Sequence, residues 1–367
     1  MHTKAAFCMH VDQVLPLLPL PQSIELETPA VLRQLARSHR RLAELKGKAG
    51  TIPNESILID TLSLQEAKDS SQIENIITTD DELYQSDRAS NEYLSPAAKE
   101  VLNYGAALKD GFQRLRQRRI LRLEDVLAMQ AILEGNTAGL RKQLGTVLKN
   151  KDTGEVVYVP PQVPQEVERL MDNFVTYLNR AEPDDPDPLV RMAILHHQFE
   201  SIHPFYDGNG RTGRILNLLH LVLHGLLDLP VLYLSRYIIR HKAEYYRGLQ
   251  AVRETGAWEP WLMYMLRGVE ETAQDTLERV EGIRLLMADM KQQLRRDLPK
   301  IYSQELLNNL FRHPYTKIEF VMRDLGVGRL TAAKYLNATQ RIGLVKKIKI
   351  GRSNFYLNAR LFRLLSR

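Results

Sequence analysis

Apolar positions recur at helical spacing through most of the chain. From about Pro29 to Gln113 the pattern is that of amphipathic helices with one buried face. From Glu270 to Arg296 a stretch rich in Glu, Arg, Gln, Leu and Met, with few breakers, predicts one long connecting helix. Ile215-Leu216-Asn217-Leu218-Leu219 is the greasiest helical segment, but Asn217, His220, His224, Asp228 and Pro230 interrupt it. A membrane span needs about twenty uninterrupted apolar residues, so no membrane partner is expected. Strand-like runs are confined to two places. Gly145 to Lys149 and Glu155 to Val159 flank the turn-rich Asn150-Lys151-Asp152-Thr153-Gly154 and predict a hairpin that Pro160 and Pro161 end. Pro16 to Pro21 reads as an extended arm, and Arg180 to Pro188 as a loop leading into the helix before His203. The fold class is therefore mainly α.

The second strand-like place closes the chain. Ser303–Arg312, Thr316–Asp324 and Leu330–Gln340 read as helices, the last two separated by the tight turn Gly326-Val327-Gly328. Leu344 to Ile350 and Phe355-Tyr356-Leu357, turning at Gly351-Arg352-Ser353-Asn354, read as a β-hairpin. Together they resemble a small winged helix-turn-helix domain, with Arg329, Thr331, Lys334 and Tyr335 near the recognition helix and Arg352 at the wing tip. Charge sharpens the picture. The chain carries a net +6, yet from residue 301 onward thirteen Lys or Arg stand against three acids (Glu305, Glu319, Asp324), leaving the remainder mildly acidic. A basic module on an acidic body fits a DNA-binding face, and equally a docking or dimer module, with the 270–296 helix as a further homodimer contact. The expected organisation is an N-terminal helical region (1–112), a catalytic core (113–270), a connecting helix (271–300) and the winged helix (301–367). Cys8 is the one cysteine, so no internal disulfide forms, and Met1 to Cys8 lacks a signal peptide's apolar core. A cytoplasmic location is the corresponding expectation.

Residues 203–214 concentrate the chemistry: His203-Pro204-Phe205-Tyr206-Asp207-Gly208-Asn209-Gly210-Arg211-Thr212-Gly213-Arg214. The Gly208-Asn209-Gly210 turn permits positive-φ backbone and an anion nest, and the apolar run after it makes the nest a helix N-terminus, where dipole and free N–H groups favour phosphate. Arg211 and Arg214, three apart, are expected on one helix face. His203 is a base poised near neutral pH, and Asp207 an oxygen ligand for a hard cation. No GxxxxGK(S/T) offers another phosphate cradle, and no HExxH or cysteine partner makes a zinc site of His196, His197, His203, His220 or His224. His220 and His224 read as packing or surface residues.

This segment resembles the signature of the Fic family, HPFx(D/E)GNGRxxR, at every fixed position, and the similarity runs over roughly residues 55 to 270. The resemblance implies a Fic-type helical bundle that binds ATP and Mg²⁺ and moves AMP onto a Ser, Thr or Tyr hydroxyl of a protein. By that pattern His203 is the base and Asp207 holds Mg²⁺. Gly208, Asn209, Gly210 and Gly213 belong to the nucleotide-binding run, and Arg211 and Arg214 reach the outer phosphates. Ser70-Ser71-Gln72-Ile73-Glu74-Asn75 resembles the family's (S/T)xxxE(G/N) inhibitory motif, in which Glu74 would pair with Arg214 and block the γ-phosphate. The 145–159 hairpin resembles the flap that receives a protein substrate by strand addition, self-modification by a neighbouring copy included. Tyr237 and Tyr245 resemble residues lining the adenine pocket. Transfer of another nucleotide, phosphate or phosphocholine stays open on residue types, as do deamidation and hydrolysis. A nucleotide-sensing DNA regulator without catalysis also stays open.

Overall fold

The computed structural model describes residues 15–85, 94–149, 153–350 and 353–366. The centre of the expected flap turn (Asn150 to Asp152), Arg352 and Cys8 lie outside those residues. Helix α1 (Pro29–Ala49) starts on the side chain of Thr28 and α2 (Glu55–Ile73) on that of Asn54, each accepting a first-turn N–H. The short α3 (Asp80–Gln85) precedes α4 (Pro96–Arg118) and α5 (Leu123–Glu134). Strands β1 (Leu148–Lys149) and β2 (Val156–Tyr158) pair antiparallel as the expected hairpin. Then come α6 (Pro164–Asn179), α7 (Pro188–Ile202), α8 (Asn209–Leu223), α9 (Leu234–Arg240) and α10 (Lys242–Thr255). Among the described residues no helix is long and apolar enough to cross a membrane.

Two helices organise the rest. Helix α11 (Trp258–Asp297) has 40 residues, so it spans about 60 Å, and it packs along α1, α7, α9 and α10 before meeting the C-terminal elements. The expected helix began at Glu270; the observed one starts twelve residues earlier. Pro260 lies in its first turn, where no intrahelical N–H bond is lost, and Trp258 and Trp261 are buried there as packing residues. Helix α2 is enclosed on nearly every side. Ile57, Leu58, Leu62 and Ala67 are buried, and so are Thr61, Ser63, Ser70 and Ser71 around the same cylinder. Its neighbours are α4, α8, α9 and the C-terminal elements.

The C-terminal segment forms α12 (Gln304–Arg312), β3 (Tyr315–Thr316), α13 (Ile318–Leu325), α14 (Arg329–Arg341), β4 (Lys346–Ile350), β5 (Ser353–Leu357) and α15 (Ala359–Leu365). Its sheet runs β3-β5-β4, antiparallel throughout, so the predicted hairpin gains a third strand from Tyr315 and Thr316. The segment is docked onto α2 and α3. Arg312 and Lys109 both ion-pair with Asp60 of α2, Tyr315 Oη donates to Asp81, and the Tyr84 and Phe362 rings meet edge-on at 6.1 Å.

Asp60 lies between those two cations. Burial raises its pKa, but Lys109 and then Arg312 outweigh that and hold it below the usual carboxylate range. Removing it leaves two partly buried cations without their shared partner. Asp60→Ala is expected to lower unfolding stability by about 2 kcal/mol in urea denaturation, and Asp60→Glu to recover part of that.

Candidate active site at the α7–α8 turn

Helix α7 ends because His203 adopts left-handed backbone, φ 48° and ψ 59°, while its N–H still closes onto the Phe199 carbonyl. A non-glycine residue held there is strained, and such strain persists only where the surroundings over-determine it. They do so here. Phe205 is fully buried against Phe199, with ring centroids 6.2 Å apart. The Asn209 carboxamide closes the loop on itself: Oδ1 accepts from the Phe205 N–H at 2.8 Å and Nδ2 donates to the Phe205 carbonyl at 2.9 Å. Gly208, at φ 75°, is the N-cap of α8, and a Cβ there would collide with the Glu134 carboxylate. Gly210 is helical rather than positive-φ, and its missing side chain serves close approach instead of a turn.

What approaches Gly210 is Glu74. A Cβ on Gly210 would lie 2.5 Å from Glu74 Oε1 and 2.9 Å from Arg214 Nη1. Arg214 is 2% exposed; its Nε donates to Ser70 Oγ at 2.8 Å, and its Nη2 to the Ser70 carbonyl and to Glu74 Oε1, both at 3.0 Å. Burial disfavours the guanidinium's charge, but Glu74 together with Tyr245, Glu200 and Tyr104 outweighs it, and Arg214 stays charged. Ser70 and Glu74 meet one guanidinium because i and i+4 share a helix face. Asn75 explains the last motif position. Glu74 is the C-cap of α2, Asn75 follows in left-handed backbone (φ 67°), and the Asn75 and Ile76 N–H groups bond back to the Gln72 and Ser71 carbonyls, each at 3.0 Å. This is a Schellman closure, which needs glycine or asparagine at that point.

Arg211 and Arg214, expected on one face, reach different helices. Arg211 bonds Glu100 of α4 at 3.0 Å and Glu134 of α5 at 2.8 Å, with 4% of its side chain exposed. Burial raises the Glu134 carboxyl despite Arg211. Gly213 lets α7 approach α8, since a Cβ there would sit 3.1 Å from Phe199 and 3.2 Å from Glu200 Oε1. Tyr245 lies beneath the site: its hydroxyl is 2.8 Å from His196 Nε2, and His196 Nδ1 is 3.0 Å from Asn217 Nδ2. Tyr237 is buried with its ring 4.2 Å from His241 and 5.1 Å from Tyr264. His220 and His224 are bonded into backbone carbonyls of Pro188 and Leu178, as packing residues would be.

The imidazole of His203 is surrounded by residues that no motif flagged. Arg141, 1% exposed, donates from Nε to the His203 carbonyl at 2.8 Å and from Nη2 to those of Ile202 and Pro161, while its N–H bonds the Pro204 carbonyl at 2.9 Å. Arg253 of α10 donates to Ser201 Oγ at 3.1 Å and to the Glu200 carbonyl at 3.3 Å. Burial, then Arg141 and Arg253, push the His203 pKa down to about 4, against a smaller opposing pull from Glu74 and the Glu200 backbone. Among the described residues, the Nδ1 of His203 finds no hydrogen-bond partner of normal geometry. At pH 7 the ring is therefore neutral, the state a base requires. Glu200 is also buried beside Arg214, and burial raises its carboxyl to about 7. One charged residue in the apolar run before His203 was a signal for Glu200; Arg141 and Arg253 had none.

Among the described residues no group of three or more His, Cys, Asp or Glu could hold a metal. Asp207 is exposed, and its Oδ1 accepts the Gly208 N–H at 2.7 Å. One carboxylate oxygen remains, which fits a Mg²⁺ carried largely by substrate phosphates and water rather than a closed protein cage.

A histidine whose folded pKa is depressed withholds a proton that the unfolded chain binds near pH 6.5, so it costs stability as pH falls from there toward 4. Wild type should lose stability relative to His203→Gln between pH 7 and pH 5, by roughly 1–2 kcal/mol in denaturant titrations. A gap that does not change with pH would contradict a neutral, half-buried imidazole.

Three family models match the chain: Fic/DOC family N-terminal over residues 32–113, Fic/DOC family over 120–221, and the C-terminal domain of SoFic-like protein adenylyltransferase over 286–361. Among curated relatives, protein adenylyltransferase fic-1 of Caenorhabditis briggsae is 31% identical over 155 residues, 41% of this chain and 28% of that protein. A probable protein adenylyltransferase of Aquifex aeolicus is 28% identical over 184 residues, 49% of this chain and 54% of that protein. The matches thus span only about a quarter to a half of the relatives' own lengths. Among solved structures, a Fic family protein of Desulfovibrio desulfuricans G20 superposes with TM-score 0.56 at 20% identity, covering 91% of this chain and 98% of that one. Fic-1 of Caenorhabditis elegans gives 0.52 at 23% identity, covering 68% and 73%. At these identities the superpositions establish the fold. With its signature turn, its two Fic models and its SoFic-like C-terminal match, the chain belongs to the Fic/DOC family.

Proposed function

We propose that the chain is a protein adenylyltransferase that moves AMP from ATP to a hydroxyl side chain of a protein and is held inactive by Glu74. The observation that carries this reading is the seat of the Glu74 carboxylate against Gly210 and Arg214. An anion already sits where a helix N-terminus and a buried guanidinium converge. A polyphosphate competes for the same place. The relatives' names as protein adenylyltransferases give the nucleotide and the group transferred.

His203 accepts the proton of the attacking hydroxyl; the new bond forms between that oxygen and the α-phosphorus, the α–β bridging bond breaks, and pyrophosphate leaves. Neutrality of the imidazole is assured before substrate binds, and the negative charge of a bound triphosphate raises its basicity toward the working pH. Asn209 holds the loop, and the N–H groups at the start of α8 face the phosphates. Mg²⁺ held through Asp207 would supply charge neutralisation on the phosphates. Arg211 steadies α8 through Glu100 and Glu134 and turns to phosphate only by leaving one of them. The flap offers Val147, Val156, Val157 and Val159, each more than a third exposed, as an edge for an extended segment of the target or of a second copy of this chain.

A second reading concerns the C-terminal module. On α14 Arg329, Leu330 and Lys334 are exposed, and Lys346, Lys347 and Lys349 are exposed on β4, which supports a duplex-DNA face. Binding to labelled duplex that weakens steeply with salt, and is lost in Lys346→Glu/Lys347→Glu, is its expected outcome; no binding at low salt removes it.

Adenylylation itself is tested by intact mass after incubation with Mg²⁺ and each nucleoside triphosphate. Glu74→Gly is expected to raise AMP incorporation about ten- to hundredfold, the worth of one charged hydrogen-bonded pair. Adding His203→Ala is expected to remove it by a factor of about 10² or more. Equal labelling with and without His203 would end its assignment as the base.

A further inference from the structure

We propose that Arg253 is a positioning residue for His203: it ties the flap to the end of α7, so that the placement of β2 is felt at the imidazole. The inference rests on the role given above to His203 and adds how the flap communicates with it.

The geometry begins with an unavoidable deficit. The last four carbonyls of a helix have no intrahelical donor, and a buried helix end must find donors elsewhere. At the end of α7 they come from two guanidiniums. Arg253 takes the Glu200 carbonyl and the Ser201 hydroxyl, and Arg141 takes the Ile202 and His203 carbonyls. Each also reaches the flap. Arg141 bonds the Pro161 carbonyl, just past β2, and the Arg253 guanidinium lies over the ring of Tyr158, the last residue of β2, 4.0 Å from its centroid. A planar cation can stack on a ring and donate in its own plane at once, which a lysine cannot do. The flap and the strained turn that carries His203 are therefore joined through both arginines, and Tyr158 itself also meets the Ser201 side chain.

Charge makes the joint chemically relevant. The charged groups facing His203 are Arg141 from the loop after α5, Arg253 from α10 and Glu74 from the end of α2; Tyr158 of the flap and Glu200 of α7 adjoin Arg253. Both arginines disfavour the imidazolium. If a bound strand shifts Tyr158, Arg253 shifts with it, and the proton affinity of His203 changes at the moment the target is in place.

The test is the titration of the His203 ring, followed by NMR in the full chain with labelled histidine and assigned through His203→Gln. Arg253→Gln keeps a donor toward Ser201 and Glu200 but loses the charge; its His203 midpoint is expected to rise by about half a unit or more. Arg253→Lys, which keeps the charge, should stay nearer wild type. Tyr158→Leu leaves Arg253 and the core intact and should move the midpoint in the same direction as Arg253→Gln by a smaller amount. In the Glu74→Gly background, Arg253→Gln should shift the acid limb of kcat for AMP transfer upward with little change in KM for ATP. If folded Arg253→Gln and Tyr158→Leu both titrate as wild type, the proposal is overturned, and Tyr158→Leu alone decides it should Arg253→Gln fail to fold. Absence of AMP transfer in every variant would count against adenylylation, while the NMR midpoints would still decide the link from flap to His203.

Discussion

A guanidinium buried in the second turn of a helix must be neutralised by something, and in this chain nearly every feature of the site follows from what neutralises Arg214. Leaving such a charge unpaired costs several kcal/mol, so an anion is a structural requirement before it is a functional one. Ser70 and Glu74 meet the requirement from α2, which forces α2 into the interior and explains its composition. Ser63, Ala67, Ser70 and Ser71 are small enough to let α4, α8 and α9 close around it. Gly210 has no side chain because the Glu74 carboxylate rests there. One interaction thus links the placement of a whole helix to the occupancy of a phosphate-binding position.

The other organising constraint is the end of α7. A helix that stops inside the protein exposes its carbonyls to a medium without water, and Arg141 and Arg253 answer that need. Their charges then act on the nearest titratable group, which is His203. A structural solution to an orphaned helix end so becomes an electrostatic setting for a base. The same low-dielectric surroundings hold Glu200 up near neutrality and His196 down to about 3.

Much of this was legible in sequence because local rules and a twelve-residue signature carry it. Helical periodicity gave the mainly α fold, β-prone runs around a turn gave the hairpin, and the resemblance to the inhibitory motif gave the pairing of Glu74 with Arg214. The remainder depends on tertiary encounters with no local trace. Arg141 and Arg253 are single arginines in segments far from the signature, and only the packed chain brings them to one helix end. Arg211 and Arg214 were expected side by side from their spacing, but acids on α4 and α5 draw one away while α2 holds the other. Asn209, expected in the nucleotide-binding run, also closes the loop through its carboxamide on the Phe205 backbone, a contact its local sequence does not announce. The early start of α11 followed from a proline rule that allows first-turn proline, which a search for breakers reads as an end.

The position of Glu74 along its helix explains how an inhibitory pair can be both firm and removable. The body of α2 is fixed by burial and by Asp60, which ties it to α4 and α12 about twenty ångströms from Glu74 at helical rise. Glu74 itself is the C-cap, about one-third exposed, and the Schellman closure through Asn75 satisfies the helix end without using its side chain. Lys242 adds a bond to the Ile73 carbonyl at 2.7 Å. Swinging the carboxylate away from Arg214 therefore leaves the backbone hydrogen bonds that close α2 in place. What opposes it is the charge left behind on Arg214, which an incoming phosphate neutralises equally well. Had the glutamate stood one turn earlier, beside the buried Ser70, displacement would have required α2 to move as a whole, and its interior packing would have resisted.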